Sequence, residues 1–311
     1  MLGTGQADLS GSPYEPPASY LSTMNPSSLT SPTIPVFFCD AMVADASSYS
    51  PSASKPALVV RDWQAAGLPI EIRKVDPVTR EQLALAHNAD FVNGVLDGKR
   101  RNGFGNTLAS VAASLPYTTG AMLSAAREAL RNGRVACAPV SGFHHAGYAH
   151  AGGFCTFNGL MVTAMVLHGE GLVRRLAILD LDQHWGDGTQ DIIDRLGIDW
   201  IDHHSSGEHS PGPSRAEAYL RDLPALVSRF ADCDLLMYQA GADAHINDPL
   251  GGWMTTEQLE RRDRIVFEAS ARIGLPVVWN LAGGYQKDEH GGIPAVLEIH
   301  RNTMRACAER G

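Results

Sequence analysis

From residue 35 to the C-terminus, short apolar runs alternate with stretches whose apolar residues recur every three or four positions. The runs at 35–39, 69–75, 135–140, 175–182, 198–202, 234–240 and 276–282 have the length and composition of strands, several of them buried on both faces. Between them the spacing predicts helices. One begins near Thr79, where Gln82 three residues on completes a capping-box pattern. A second covers about 119–132 and stops at Gly133. A third covers about 158–168, and a fourth, near 214–231, carries Ala216, Tyr219, Leu220, Leu223 and Leu226 at helical spacing. Thr255 and Gln258 cap a fifth that ends at Gly274, and a last helix runs from about Pro294 to Ala308. The alternation predicts an α/β fold: a single domain with a mainly parallel sheet flanked by helices on both faces. No internal repeat or linker interrupts it after residue 35.

Residues 1–34 break the pattern. Ser, Pro, Thr and Gly dominate, and Asp8 and Glu15 are the only charges, so this stretch reads as a disordered tail ahead of a domain at 35–311. It lacks the basic start and apolar run of a signal peptide, and Met24 is a second candidate start. Of the 311 residues 44% are apolar, as a globular core requires, and the formal charge is −9. That balance argues against a nucleic-acid partner and suits a cationic substrate. No apolar run reaches the length of a membrane span. The cysteines (Cys39, Cys137, Cys155, Cys233, Cys307) include no Cys-x-x-Cys pair and read as reduced thiols of a cytoplasmic protein. The oligomeric state is not legible.

The reactive side chains fall where the predicted strands end, the edge at which open parallel sheets bind ligands. Ser141-Gly-Phe-His144-His145 follows the third run, and Asp180-Leu-Asp182-Gln-His184-Trp-Gly-Asp187-Gly188 closes the fourth. His203-His204-Ser-Ser, Gly241-Ala-Asp243 and Gly283-Gly284-Tyr285 follow the next three. With the fourth strand extending to 182, alternation directs Asp182 and His184 to one point, with Asp180 one pleat back. A carboxylate and an imidazole so placed suit a borderline cation such as zinc, and Asp243 supplies a third N/O ligand. Taken alone, Asp243 reads more plainly as a turn residue, and His144-His145 as two buried, hydrogen-bonded histidines. Beside a metal the tandem histidines become a general base and acid, with Asp180 and Asp187 available to orient them. Tyr285, after two glycines, is placed to donate to an oxyanion. Gly153 brings the backbone close, and Phe154 after it lines a passage or simply fills core. His203, His204, His209, His245 and His290 are not assigned to the metal. The charge run Glu257, Glu260, Arg261, Arg262, Asp263, Arg264 reads as a solvated helix face.

Together, Gly-Phe-His-His-Ala at 142–146, Gly-Gly-Phe-Cys at 152–155, Asp-Leu-Asp-Gln-His-x-Gly-Asp-Gly at 180–188, Gly-Ala-Asp at 241–243 and Gly-Gly-Tyr at 283–285 resemble the histone deacetylase superfamily in order and spacing. Asp248-Pro-Leu-Gly-Gly252 and Gly283-Gly-Tyr-Gln-Lys287 look most like its class IV branch and bacterial members. The resemblance implies the arginase/deacetylase fold and one catalytic zinc on Asp182, His184 and Asp243. It casts His145, paired with Asp187, as the main base and acid, and His144, paired with Asp180, as its electrostatic partner. Tyr285 would hold the oxyanion, with Phe154, Gly153 and Gly284 along the substrate channel. A structural potassium would use Asp180, Asp182, His184 and Asp202. Two departures stand out: Trp185 replaces a common histidine, and Ser210 falls where an aromatic usually precedes Pro-Gly on the opposite channel wall. No acid is found in 98–107, where members often hold the substrate backbone. The implied activity is a zinc-dependent deacylase acting on a small-molecule or peptide acyl-amine. The rivals are a binuclear manganese ureohydrolase of arginase type and an inactive acyl-ligand-binding module.

Overall fold

The computed structural model describes residues 33–209 and 211–310, with Met1 and Gly3. The predicted tail falls almost wholly outside these residues. The first strand, β1 (Ile34–Phe37), starts at the last residue assigned to that tail.

Six further strands follow: β2 (Ile70–Arg73), β3 (Val135–Ala138), β4 (Leu176–Asp180), β5 (Ile201–Ser205), β6 (Leu235–Gln239) and β7 (Val277–Asn280). They form one sheet in the order β2-β1-β3-β7-β6-β4-β5, and every pairing is parallel. Parallel neighbours need long crossovers, and helices supply them. These are α1 (Lys55–Ala65), α2 (Arg80–Leu83), α3 (Ala89–Leu96), α4 (Ala109–Asn132), α5 (Gly159–Gly169), α6 (Asp187–Leu196), α7 (Ala216–Ser228), α8 (Thr256–Arg272) and α9 (Pro294–Arg310). The period-two alternation of the strands divides the core in two. Ala136, Ala138, Ile178 and Met237 face a cluster with α3, α4 and α5. Val135, Cys137, Leu179, Tyr238 and Trp279 face one with α1, α7, α8 and α9. The expected α/β sheet with helices on both faces is therefore the observed fold.

The differences are local. Helices α1, α3 and α6 were not foreseen: a Ser- and Pro-rich lead-in obscures α1, although Pro56 stands in its first turn. Strand β5 lies three residues later than 198–202, so His203 and His204 are strand residues rather than loop residues. Helix α4 begins at Ala109, ten residues before the predicted start, and runs through Pro116. It stops as expected at Gly133, whose φ of 66° is left-handed.

Gly120 sits in the middle of α4 because the chain leading into α2 crosses there. A Cβ at 120 would lie 2.2 Å from Asp76 O and 3.0 Å from Pro77 Cα, both backbone atoms. In an open helix, Gly→Ala gains about 1 kcal/mol. Here overpacking reverses the sign, and Gly120→Ala is expected to cost about 1–3 kcal/mol. Urea denaturation tests this; a midpoint at or above that of the wild type would remove the packing argument.

Candidate active site

The site lies at the carboxyl ends of β3, β7, β6 and β4, four neighbours in the middle of the sheet. Strand β4 ends at Asp180, not at residue 182. Beyond it, Asp182 N donates to Asp180 Oδ1 (3.2 Å) and His184 N donates to Asp182 Oδ1 (2.9 Å). Aspartate side chains bonding the backbone two residues on make compact turns. Asp182 and His184 therefore meet through a turn and not through the pleat of a strand extended to 182.

Asp182, His184 and Asp243 each offer a ligand atom within 4.8 Å of the others. His184 Nδ1 is 3.2 Å from both Asp182 Oδ1 and Asp243 Oδ2. Its Nε2 lies 3.2 Å from Leu250 O, which can only accept, so a neutral His184 keeps its Nδ1 lone pair for the carboxylate side. Both carboxylates are buried. Gly283 N donates to Asp182 Oδ2 (2.9 Å) and Gln183 N to Asp243 Oδ1 (3.1 Å). A Cβ at Gly283 would fall 1.9 Å from Asp243 Oδ2, so only glycine fits there. Burial, with the charge of Asp182 added, pushes Asp243 up to about 7. Burial also acts on Asp182, but His144 and His184 outweigh it and hold that carboxyl well below its usual range. Hydrogen bonds donated to both aspartates push His184 up to about 11. Two buried carboxylates that draw this strongly on a single imidazole are a donor set suited to a divalent cation.

The histidines stand beside this group. His144 Nδ1 is 2.7 Å from Asp180 Oδ2, and its Nε2 is 3.7 Å from Asp182 Oδ1. Asp180 is fixed in turn by the side chain of Gln239, its cross-strand neighbour on β6 (3.0 Å). His145 Nδ1 is 2.6 Å from Asp187 Oδ1 at the start of α6. Burial opposes charge on His144, but Asp180 and Asp182 prevail and push it up to about 9. Burial and the charge of His144 push His145 down. Phe143 (φ 88°) and Phe154 (φ 63°) are non-glycine residues in the left-handed region next to this machinery, at a cost of order 1–3 kcal/mol each. At Gly153 a Cβ would lie 2.3 Å from the His145 ring.

Tyr285 is 7% exposed, and its ring centroid is 5.6 Å from that of Phe154. Its backbone N donates to Asp248 Oδ2 (2.8 Å), and Gly284 before it takes φ 129°. Burial and the charge of Asp243 push the phenol upward, so it stays protonated. Phe154 also meets Phe104, whose ring centroid is 6.1 Å away with the two planes tilted by 36°, so two aromatic neighbours hold it.

Some predicted residues do not join the site. Asp202 is opposite Ala177 in the β4–β5 register, three positions short of Asp180, and lies 3.8 Å from Arg229. The predicted potassium set is thus not assembled as given. Ser210 lies outside the described residues. The charge run of α8 is not all solvated: Arg262 and Asp263 are buried. Sequence reasoning also missed Lys55, fully buried, whose Nζ donates to Ala282 O and to Gly283 O (3.0 Å). It missed Asp248 as the anchor of Tyr285, although the Asp-Pro-Leu-Gly-Gly motif carried that signal.

The family model for the histone deacetylase domain matches residues 52–217 and 210–295. An uncharacterized protein of Picosynechococcus is 31% identical over 71% of this chain and 81% of its own length. Acetylpolyamine amidohydrolase 1 of Pseudomonas aeruginosa is 28% identical over 53% of this chain, and the match spans 54% of that enzyme. Among solved structures, the crystal structure of the HDA15 HD domain superposes with a TM-score of 0.73 at 19% identity, covering 90% of this chain and 89% of that one. The chain belongs to the histone deacetylase family, a family of hydrolases.

His87 ties the histidine loop to α5. Its Nδ1 is 2.9 Å from Gly147 O, and its Nε2 accepts from Asn158 N (2.8 Å). Protonating Nε2 would set one donor against another, and burial pushes His87 down to about 4. A histidine with a depressed folded pKa contributes fully above about pH 6.5, and that contribution is lost as pH falls toward 4. Roughly 3 kcal/mol should disappear across this window, at about 1.4 kcal/mol per pH unit. Urea midpoints from pH 7 to 4 for the wild type and His87→Gln measure it. Equal pH slopes in the two proteins would contradict the assignment.

Proposed function

We propose that the protein is a zinc-dependent amidohydrolase that removes an acyl group from an amine, such as an acyl-lysine or an acylated polyamine. The observation that carries this reading is the convergence of Asp182, His184 and Asp243 on one point. His145 lies beside it, its ring centroid 5.9 Å from that of His184. Three N/O ligands with room for substrate are the pattern of a catalytic zinc site, and a cation held there would polarise a carbonyl and acidify water.

The protein's own groups then divide the work. Asp187 holds His145 Nδ1, which leaves Nε2 as the free base. Nε2 takes the proton of the attacking water and returns it to the leaving amine. His144, itself buried, stays charged between Asp180 and Asp182 and balances their negative charge. Tyr285 Oη donates to the carbonyl oxygen as it gains charge. Phe154, Gly153 and Gly284 line the approach. The name of the Pseudomonas relative and the net charge of −9 both support a cationic leaving amine.

Metal analysis of the purified protein should give one zinc per chain, and Asp243→Ala should lose metal and turnover together. Two manganese per chain would instead favour the ureohydrolase reading. Tyr285→Phe should keep its metal and lose about 10²–10³ in kcat on a fluorogenic acyl-lysine or an acetylated polyamine. Full turnover in that variant would remove Tyr285 from the chemistry. If wild type and His145→Ala were equally inert on a broad acyl panel yet still bound ligand, the protein would be a binding module.

A further inference from the structure

Arg262 is a charged residue with almost no access to water: it is 1% exposed. It projects from α8 to the underside of the site. Its Nη1 donates to Leu181 O (3.1 Å) and to Gly241 O (2.8 Å). These carbonyls lie just beyond the ends of β4 and β6, which are neighbouring parallel strands. Leu181 immediately precedes Asp182, and Gly241 stands two residues before Asp243. One guanidinium nitrogen therefore bridges the two loops that present the two carboxylates. The rest of the group is anchored from behind. Nε donates to Asp263 Oδ1 (2.8 Å), while Asp263 accepts from Tyr238 Oη and from Thr303 Oγ1 (2.5 Å).

A buried ion pair is weak evidence for stability, because desolvation costs several kcal/mol per ion. If Arg262 served only to neutralise Asp263, its donors would turn toward that carboxylate. Instead Nη1 is given to two main-chain carbonyls, and Nη2 finds no partner among the described residues. The loops it joins are also packed too closely to shift independently. A Cβ at Gly241 would lie 2.5 Å from Asp182 Cα and 2.9 Å from Asp243 Oδ1. The spacing of the two carboxylates thus depends on where Gly241 sits relative to residue 181, and Arg262 Nη1 holds both.

We propose that Arg262 is a positioning residue of the Asp182–His184–Asp243 site, setting the separation of its two carboxylates through the carbonyls of Leu181 and Gly241. The proposal rests on the reading of those three residues as a divalent-cation site.

Zinc affinity, measured on the full chain by competition with a chromophoric chelator, tests it without any substrate. Wild type should bind one zinc, and Asp182→Ala should not. Arg262→Lys, which retains one charged donor nitrogen, and the triple variant Arg262→Met/Asp263→Leu/Tyr238→Phe should bind zinc about 10–100-fold more weakly. Arg262→Lys is expected to suffer less than the triple variant. The triple variant removes the buried ion pair and the tyrosine hydroxyl together, while Thr303 Oγ1 keeps Ile299 O as an acceptor (3.1 Å); removing such a pair whole generally preserves folding where breaking one partner does not. Urea denaturation of the metal-free proteins separates lost stability from lost affinity. A folded Arg262 variant that binds zinc within threefold of wild type, while Asp182→Ala binds none, would overturn the positioning role alone. A wild type that binds no zinc would overturn the metal reading and this proposal with it.

Discussion

Two carboxylates held side by side out of water are the constraint to which the rest of the site answers. Asp182 and Asp243 are 2% and 0% exposed, and both approach one imidazole nitrogen. Like charges about 4 Å apart repel by about 4 kcal/mol at an effective dielectric near 20, and each also loses its hydration. The fold offsets this with main-chain donors from Gly283, Gln183 and His184, and with His184 itself. Such an arrangement is costly as scaffolding and useful as a cation cradle, which is why geometry and chemistry point the same way here.

The same field separates two residues of identical type. His144 is 3% exposed and lies against Asp180 and Asp182, so it holds its proton. Burial, with no second carboxylate close by to oppose it, and the charge of His144 push His145 down, so it releases its proton more readily. Two titratable groups driven apart by their surroundings give the acid and base assignments of an active site. Here the split is produced by one added carboxylate contact: His144 has two acidic neighbours within 4 Å, and His145 has one.

The sheet was legible because its central strands are buried on both faces and read as unbroken apolar runs. The motif residues were legible because they cluster where those runs end. Three things were not. Asp182 and His184 were brought together by the wrong device, since a turn closed by aspartate side chains leaves no trace in hydrophobic periodicity. Asp202 was placed by motif spacing, whereas strand register decides its neighbours. The buried face of α8 was misread even though its period was visible. Leu259, Arg262, Asp263, Val266 and Phe267 recur at the three- and four-residue spacing of an inward stripe. Charge at two of those positions outweighed the spacing, although a charged residue on an inward stripe signals a partner inside rather than solvent outside.

Lys55 and Arg262 share that history. One comes from a helix the pattern did not reveal and the other from a face taken as solvated. Both end fully buried beneath the loops of the site. Each gives its donors to main-chain carbonyls: Lys55 to those of residues 282 and 283, Arg262 to those of 181 and 241. Burial pushes Lys55 down to about 8, against the pull of Asp243, Asp182 and Asp248. Cations in these positions do two things that a hydrophobic residue cannot. They donate to main-chain carbonyls beside the loops of the site, and they place positive charge behind the buried carboxylates of Asp182 and Asp243. Neither role requires a motif, because a carbonyl can be reached from any helix packed on that face. The ligands of such a site are therefore written in local sequence, while the groups that hold them in place are set by the packing of the whole sheet.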